Sequence, residues 1–160
     1  MSRHDGSIPI RPSLLERLCP PDVNQPRQAT RDAGLLAMRH AVCRDLETLL
    51  NTRNPYVDLP ETFREAGRSV LTYGLPDLAS YHVTDIHEAH RLRRDVESAI
   101  RLFEPRLTEV TVSLAALGRA DRAFGLSVDA RLVVDPAPLP IRIDVIVPPG
   151  SVVCRVSEVL

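Results

Sequence analysis

The chain is 160 residues long and 44% apolar, enough to bury one core and too little for two full domains. Twenty basic residues against 21 acidic ones leave a formal charge of −1, which argues against a dedicated nucleic-acid binder, whose footprint is strongly basic. All 20 basic residues are Arg, so a Schiff-base lysine, a phosphate-loop lysine and a lysine general base are ruled out.

No stretch approaches the roughly 18 apolar residues of a spanning helix, and the opening MSRHDGSIPIRPSLL lacks the apolar run of a signal peptide. A cytoplasmic protein is therefore expected. Cys19, Cys43 and Cys154 are odd in number, far apart and without metal or redox spacing, which reads as reduced thiols in apolar settings.

Residues 1–30 hold Pro9, Pro12, Pro20, Pro21 and Pro26 and show no sustained period, so an extended arm is expected. Within it Ser13 can cap a short turn that Glu16 completes, with Leu14, Leu15 and Leu18 on one side. One amphipathic turn cannot hold itself together; it packs on its own domain or docks on a partner. A single domain is expected over 31–160.

From Asp32 to Arg53, Leu35, Met38, Val42, Leu46 and Leu49 recur every three or four positions, the spacing of one helical face. Pro55 ends that helix through its effect on the preceding residue. A second helix is expected from Pro60, with Phe63, Ala66, Val70 and Tyr73 on one side and Gly74 and Pro76 as its stop, although 68–73 also suits a strand. A third runs from Thr84 or Asp85 to Phe103, with Ile86, Ala89, Val96, Ala99, Ile100 and Phe103 as its stripe, until Pro105 blocks it.

Beyond Pro105 the period drops to two. Val110, Val112 and Leu114 alternate with polar residues, as do Leu126 to Val134 and Ile141 to Val147, and Val152, Cys154 and Val156 follow after Pro148-Pro149-Gly150. These read as strands with one wet face. The fold class is α+β: N-terminal helices packed on a C-terminal antiparallel sheet of about four strands.

Glu104-Pro105-Arg106 stands at a helix end, where carbonyls lack intrahelical partners. Arg106 can cover those carbonyls or pair with Glu104; equally, a rigid corner with a carboxylate and a planar guanidinium can recognise a partner. The Arg44-Asp45-Leu46-Glu47 run and Asn51-Thr52-Arg53 read as a solvated face or as anchors for the next loop.

Three segments in order resemble the TssE subunit of the bacterial type VI secretion baseplate, a relative of the T-even phage baseplate wedge protein once called a lysozyme. They are Pro12 to Leu18, Val42 to Arg53 followed by Arg68 to Leu78, and Phe103 to Leu107. The likeness spans nearly the whole chain and departs at Thr72, where the family usually carries Asn. It implies a structural subunit without catalysis, cofactor or metal, cytoplasmic at an inner-membrane-docked baseplate and neither bound to nucleic acid nor inserted in the membrane. Implied partners are TssF and TssG in the wedge, the spike hub, and the sheath proteins TssB and TssC. Glu104, Pro105 and Arg106 match the family's contact with the wedge core, and Leu14, Leu15, Leu18, Arg53 and Arg68 lie in the other matching segments as candidate partner contacts.

A C-terminal meander leaves at least one edge with unpaired N–H and C=O groups. The family's sheet is thought to act as a template for the first sheath ring through such an edge, and the ordinary alternative is an edge covered by loops or by the arm. A phage-tail-like particle and a free regulator of the same fold are the alternative settings.

The enzyme readings are weak. Glu61 and Glu65, at i and i+4, can approach the carboxylate spacing of a glycosidase, but the chain has no Trp and only three Phe and three Tyr for sugar stacking. His87-Glu88-Ala89-His90 is one residue short of the zinc-protease pattern, and with His82 it reads as solvated.

Overall fold

The computed structural model describes Leu18 and residues 31–54, 60–76, 81, 85–116, 124–147 and 155–159. Leu14, Leu15, Cys19, Cys154 and the rest of the arm lie outside the described residues. Helix α1 covers Arg31–Asn51 and α2 covers Ile86–Phe103; the strands are β1 (Leu107–Ala116), β2 (Phe124–Leu132), β3 (Leu139–Val147) and β4 (Arg155–Val159).

The apolar period of α1 places Val42, Leu46 and Leu49 in the core, with Ala41 and Leu50 beside them. Only its second half is deeply seated: Leu36 is half exposed, while Leu35, Met38 and Cys43 pack at the margin. Near its end the Thr48 and Thr52 hydroxyls donate to the carbonyls of Arg44 and Thr48, at 3.0 and 2.7 Å.

The segment expected to be a second helix is instead three separate 3₁₀ turns, Glu61–Phe63, Ala66–Arg68 and Val70–Thr72. Ser69 breaks the run: its extended backbone cannot continue a helix, and its hydroxyl accepts from the Leu71 N–H while donating to the Ala66 carbonyl. The Thr72 hydroxyl donates back to Gly67 and Ser69 carbonyls. Short polar side chains here satisfy the backbone locally, the competition that disfavours Ser and Thr inside helices. Of the expected apolar stripe only Tyr73 reaches the core margin; Val70 is 84% exposed and Phe63 58%.

This string returns to α1 through backbone pairing. Arg53 and Leu75 form a parallel bridge, Leu75 N–H donates to the Thr52 carbonyl at 2.9 Å, and Asn54 N–H to the Leu75 carbonyl at 2.7 Å. Gly74 makes the approach possible. It has φ +111°, and an added Cβ would lie 2.3 Å from the Thr52 carbonyl oxygen, a clash in a conformation that only glycine adopts freely.

Asp85 caps α2 by accepting from the His87 N–H at 2.8 Å. The buried face is Leu92, Val96, Ala99 and Ile100. Ile86, expected in the stripe, is 67% exposed in the first turn, and Leu92 takes the inward place that the spacing assigned elsewhere.

The sheet is an antiparallel meander in the order β1-β2-β3-β4; the fourth strand is described over 155–159, and Val152 and Cys154, expected to begin it, lie outside the described residues. Its inner face carries Leu107, Val110, Val112, Leu126, Val128, Ala130, Ile141, Ile143 and Val145 against the helices. In β1 the pairing runs Leu107 to Leu132 and Thr108 to Arg131, then resumes at Thr111 with Asp129. Glu109, at φ 53°, and Val110 thus share the position opposite Ala130. This bulge lets Leu107 and Val110, three apart, both face the core. Among the described residues no helix is long and apolar enough to cross a membrane.

Candidate interaction surface

The turn that joins α2 to β1 carries a cluster of paired charges. The last turn of α2 closes with Glu104 N–H on the Ile100 carbonyl, and the Glu104 carbonyl accepts from Leu107 N–H at 3.1 Å. Pro105 occupies the second position of that turn, where its fixed φ is favoured. The Arg106 carbonyl accepts from Val133 N–H at 2.8 Å, which ties the corner to the end of β2.

Glu104 is buried, 4% exposed. Arg106 grips it in a fork: Nε donates to Oε1 at 2.6 Å, Nη2 donates to Oε2, and the Arg106 backbone N–H also reaches Oε1. Nη2 further donates to Asp45 Oδ2 on α1 at 2.6 Å, while Arg44 Nε stands 3.6 Å from Asp45 Oδ1. Two carboxylates and two guanidiniums therefore balance. The planar fork makes this geometry possible, and a lysine has no equivalent. These partners hold the Arg106 guanidinium protonated even more firmly than usual, with Glu104 the largest cause.

Tyr73 lies beside the cluster and packs edge-on against Phe103, ring centres 5.1 Å apart. Its phenol is pushed above its ordinary pKa by burial, and further by the negative charges of Asp45 and Glu104. Next to it a groove of about 210 Å³ runs between the 72–76 loop and α2, lined by Asn54, Gly74, Leu75, Asp95, Ala99 and Leu102 among others.

Of the residues the sequence singled out, Pro105 is exposed and Arg106 part-exposed at the corner, and Arg53 and Arg68 are exposed, one just past α1 and the other in the second 3₁₀ turn. Leu18 is exposed; Leu14 and Leu15 lie outside the described residues. Glu104 faces inward, so what the corner offers a partner is Pro105 and the rim of Arg106. Asp45 was visible only as part of a charge run on α1. Its partnership with Arg106, across 61 positions, has no signal in a single sequence. Glu65 is exposed in the turn between the first two 3₁₀ segments. His87 and His90 are exposed, His82 lies outside the described residues, and no group of three metal-capable side chains converges among the described ones.

Two helices on one face of an antiparallel meander, with a neutralised charged corner where helix meets sheet, define a structural α+β domain. The family model of the baseplate wedge protein gp25 matches residues 36–137, from α1 to the β2–β3 connection, and the chain belongs to that family. No curated protein matches the sequence.

Proposed function

We propose that this chain is a structural, non-catalytic subunit of a type VI secretion baseplate, joining a wedge built with TssF and TssG and helping TssB/TssC sheath assembly to start. The family match over 36–137 carries this reading. The geometry supports it in a particular way. The Glu104–Arg106–Asp45 network fixes the corner in one shape, so Pro105 and the Arg106 rim meet a partner pre-organised, with little ordering cost on binding. Arg53 and Arg68 are further exposed residues whose planar cations are of a kind suited to carboxylates. Assembly would take place in the cytoplasm, at a baseplate docked on the inner membrane beside the spike hub. A related phage-tail-like particle would use the same surface in another machine.

The test is co-purification of the tagged chain with TssF and TssG. Arg53→Ala and Arg68→Ala should weaken capture, and Arg68→Ala, on an exposed side chain, should do so without lowering the melting temperature. Undiminished capture by the double variant would remove those residues from the interface, and failure of the parent chain to bind either protein would refute the assignment. Purified chain should leave peptidoglycan turbidity unchanged; lysis lost on Glu→Gln substitution would instead establish an enzyme.

A further inference from the structure

The strand order leaves β1 and β4 at the two borders of the sheet. Alternate residues of a border strand turn N–H and C=O outward, and such an exposed ladder invites another strand. On β1 two of the outward groups are already taken. Glu97 Oε1 accepts from the Val112 N–H at 3.0 Å, and Arg101 Nη2 donates to the Val110 carbonyl at 2.6 Å.

A neighbouring strand would offer that same pair, a carbonyl for Val112 N–H and an N–H for the Val110 carbonyl. Glu97 and Arg101 are one turn apart on α2 and stand 3.6 Å from each other, so the helix presents an acceptor and a donor at the spacing the strand border needs. The bulge at Glu109 interrupts the ladder directly upstream. Across the sheet, β4 pairs with β3 and has no second strand neighbour among the described residues.

The difference between the borders has a consequence for assembly. A sheet open on both sides stacks head to tail without closing, whereas one closed border terminates growth on that side. We propose that Glu97 and Arg101 take the place of a fifth strand beside Val110 and Val112 of β1, barring strand addition there and confining an incoming extended segment of a partner chain to the β4 border. This rests on the reading that the sheet accepts a partner's strand, and it would give sheath initiation a direction.

The experiment uses the purified full chain alone, as parent, as Glu97→Ala/Arg101→Ala and as Glu97→Gln, which keeps a carbonyl oxygen for Val112. Circular dichroism establishes folding, amide exchange reads Val112, and sedimentation velocity over a concentration series reads association. The double variant should exchange Val112 about tenfold faster, the scale of one lost hydrogen bond to a charged group. It should also form species larger than a dimer as successive copies pair β1 with β4. Parent and Glu97→Gln should stop at the dimer.

A folded double variant with parental Val112 exchange, or one that associates no further than the parent, overturns the proposal, as does a parent that forms longer oligomers. Should the double variant not fold, Arg101→Ala carries the association test, since its side chain is more than half exposed. Because TssF and TssG are absent from this experiment, a failed co-purification counts against the baseplate assignment and a failed edge test against the guard.

Discussion

Arg106→Ala should destabilise the domain before it affects any partner. Truncation removes the fork on Glu104 and the bond to Asp45, and it leaves a carboxylate that is 4% exposed with only a backbone N–H at 3.3 Å. Breaking a buried pair by removing one partner costs about 3–5 kcal/mol. Because the Arg106 side chain is itself 24% exposed, water can reach the vacated rim, and we expect about 2–4 kcal/mol. For a chain of this size that corresponds to a fall in melting temperature of about 4–16 °C. Urea denaturation followed by linear extrapolation measures it. Arg106→Lys keeps the charge but not the fork, so about half the loss should remain. Glu104→Leu combined with Arg106→Met removes both members of the pair and should lie within about 1 kcal/mol of the parent, since apolar replacement of a whole buried pair is often neutral. An Arg106→Ala variant within about 0.5 kcal/mol of the parent, or a double variant worse than the single one, would refute the claim that the corner is held by this pair. The result also governs how assembly data are read: loss of wedge binding in Arg106→Ala reports partner contact only when the variant is assayed well below its own melting temperature.

Gly74→Ala should cost about 2 kcal/mol or more, because the backbone is at φ +111° and the new Cβ meets the Thr52 carbonyl; an unchanged urea midpoint would contradict the close approach. Leu46→Ala, at a fully buried position of α1, should lose about 2–5 kcal/mol through cavity formation. Tyr81 is buried and donates to Asp95 at 2.6 Å, and its phenol is pushed well above its ordinary value near 10, first by burial and then by that carboxylate. Above pH 10 the unfolded chain releases this proton while the folded chain holds it, so the stability it contributes is complete below about pH 10 and declines as pH rises further. Tyr81→Phe should flatten that decline and cost about 1–2 kcal/mol at neutral pH; parallel urea midpoints for variant and parent from pH 8 to 11 would refute the linkage.

Local patterns are legible where an element's own period coincides with burial. In α1 and α2 the spacing of Val42, Leu46, Leu49, Val96 and Ile100 is at once a helical and a core pattern, and in the strands the two-residue alternation fixes the inward set. The match failed over 60–73, where Phe63 and Val70 have helical spacing but stay exposed. Without a buried face to repay the backbone's ordering, the short-range bonds of Ser69 and Thr72 decided the conformation. The bulge at Glu109 was hidden for a related reason: it is a matter of register between two strands, and one strand's sequence does not state its partner.

The candidate surface divides in the same way. The sequence by itself determined that 104–106 is a rigid corner, because Pro105 cannot continue a helix and a carboxylate and a guanidinium flank it. Only the tertiary structure decided that Glu104 turns inward, that Asp45 completes the charge balance, and that Glu97 and Arg101 occupy the border of β1. Those contacts join positions 61, 15 and 9 apart. They arise because packing α1 and α2 on one face of the sheet brings their polar flanks to its rim, where charge–charge and charge–backbone pairing replaces the water that folding removes.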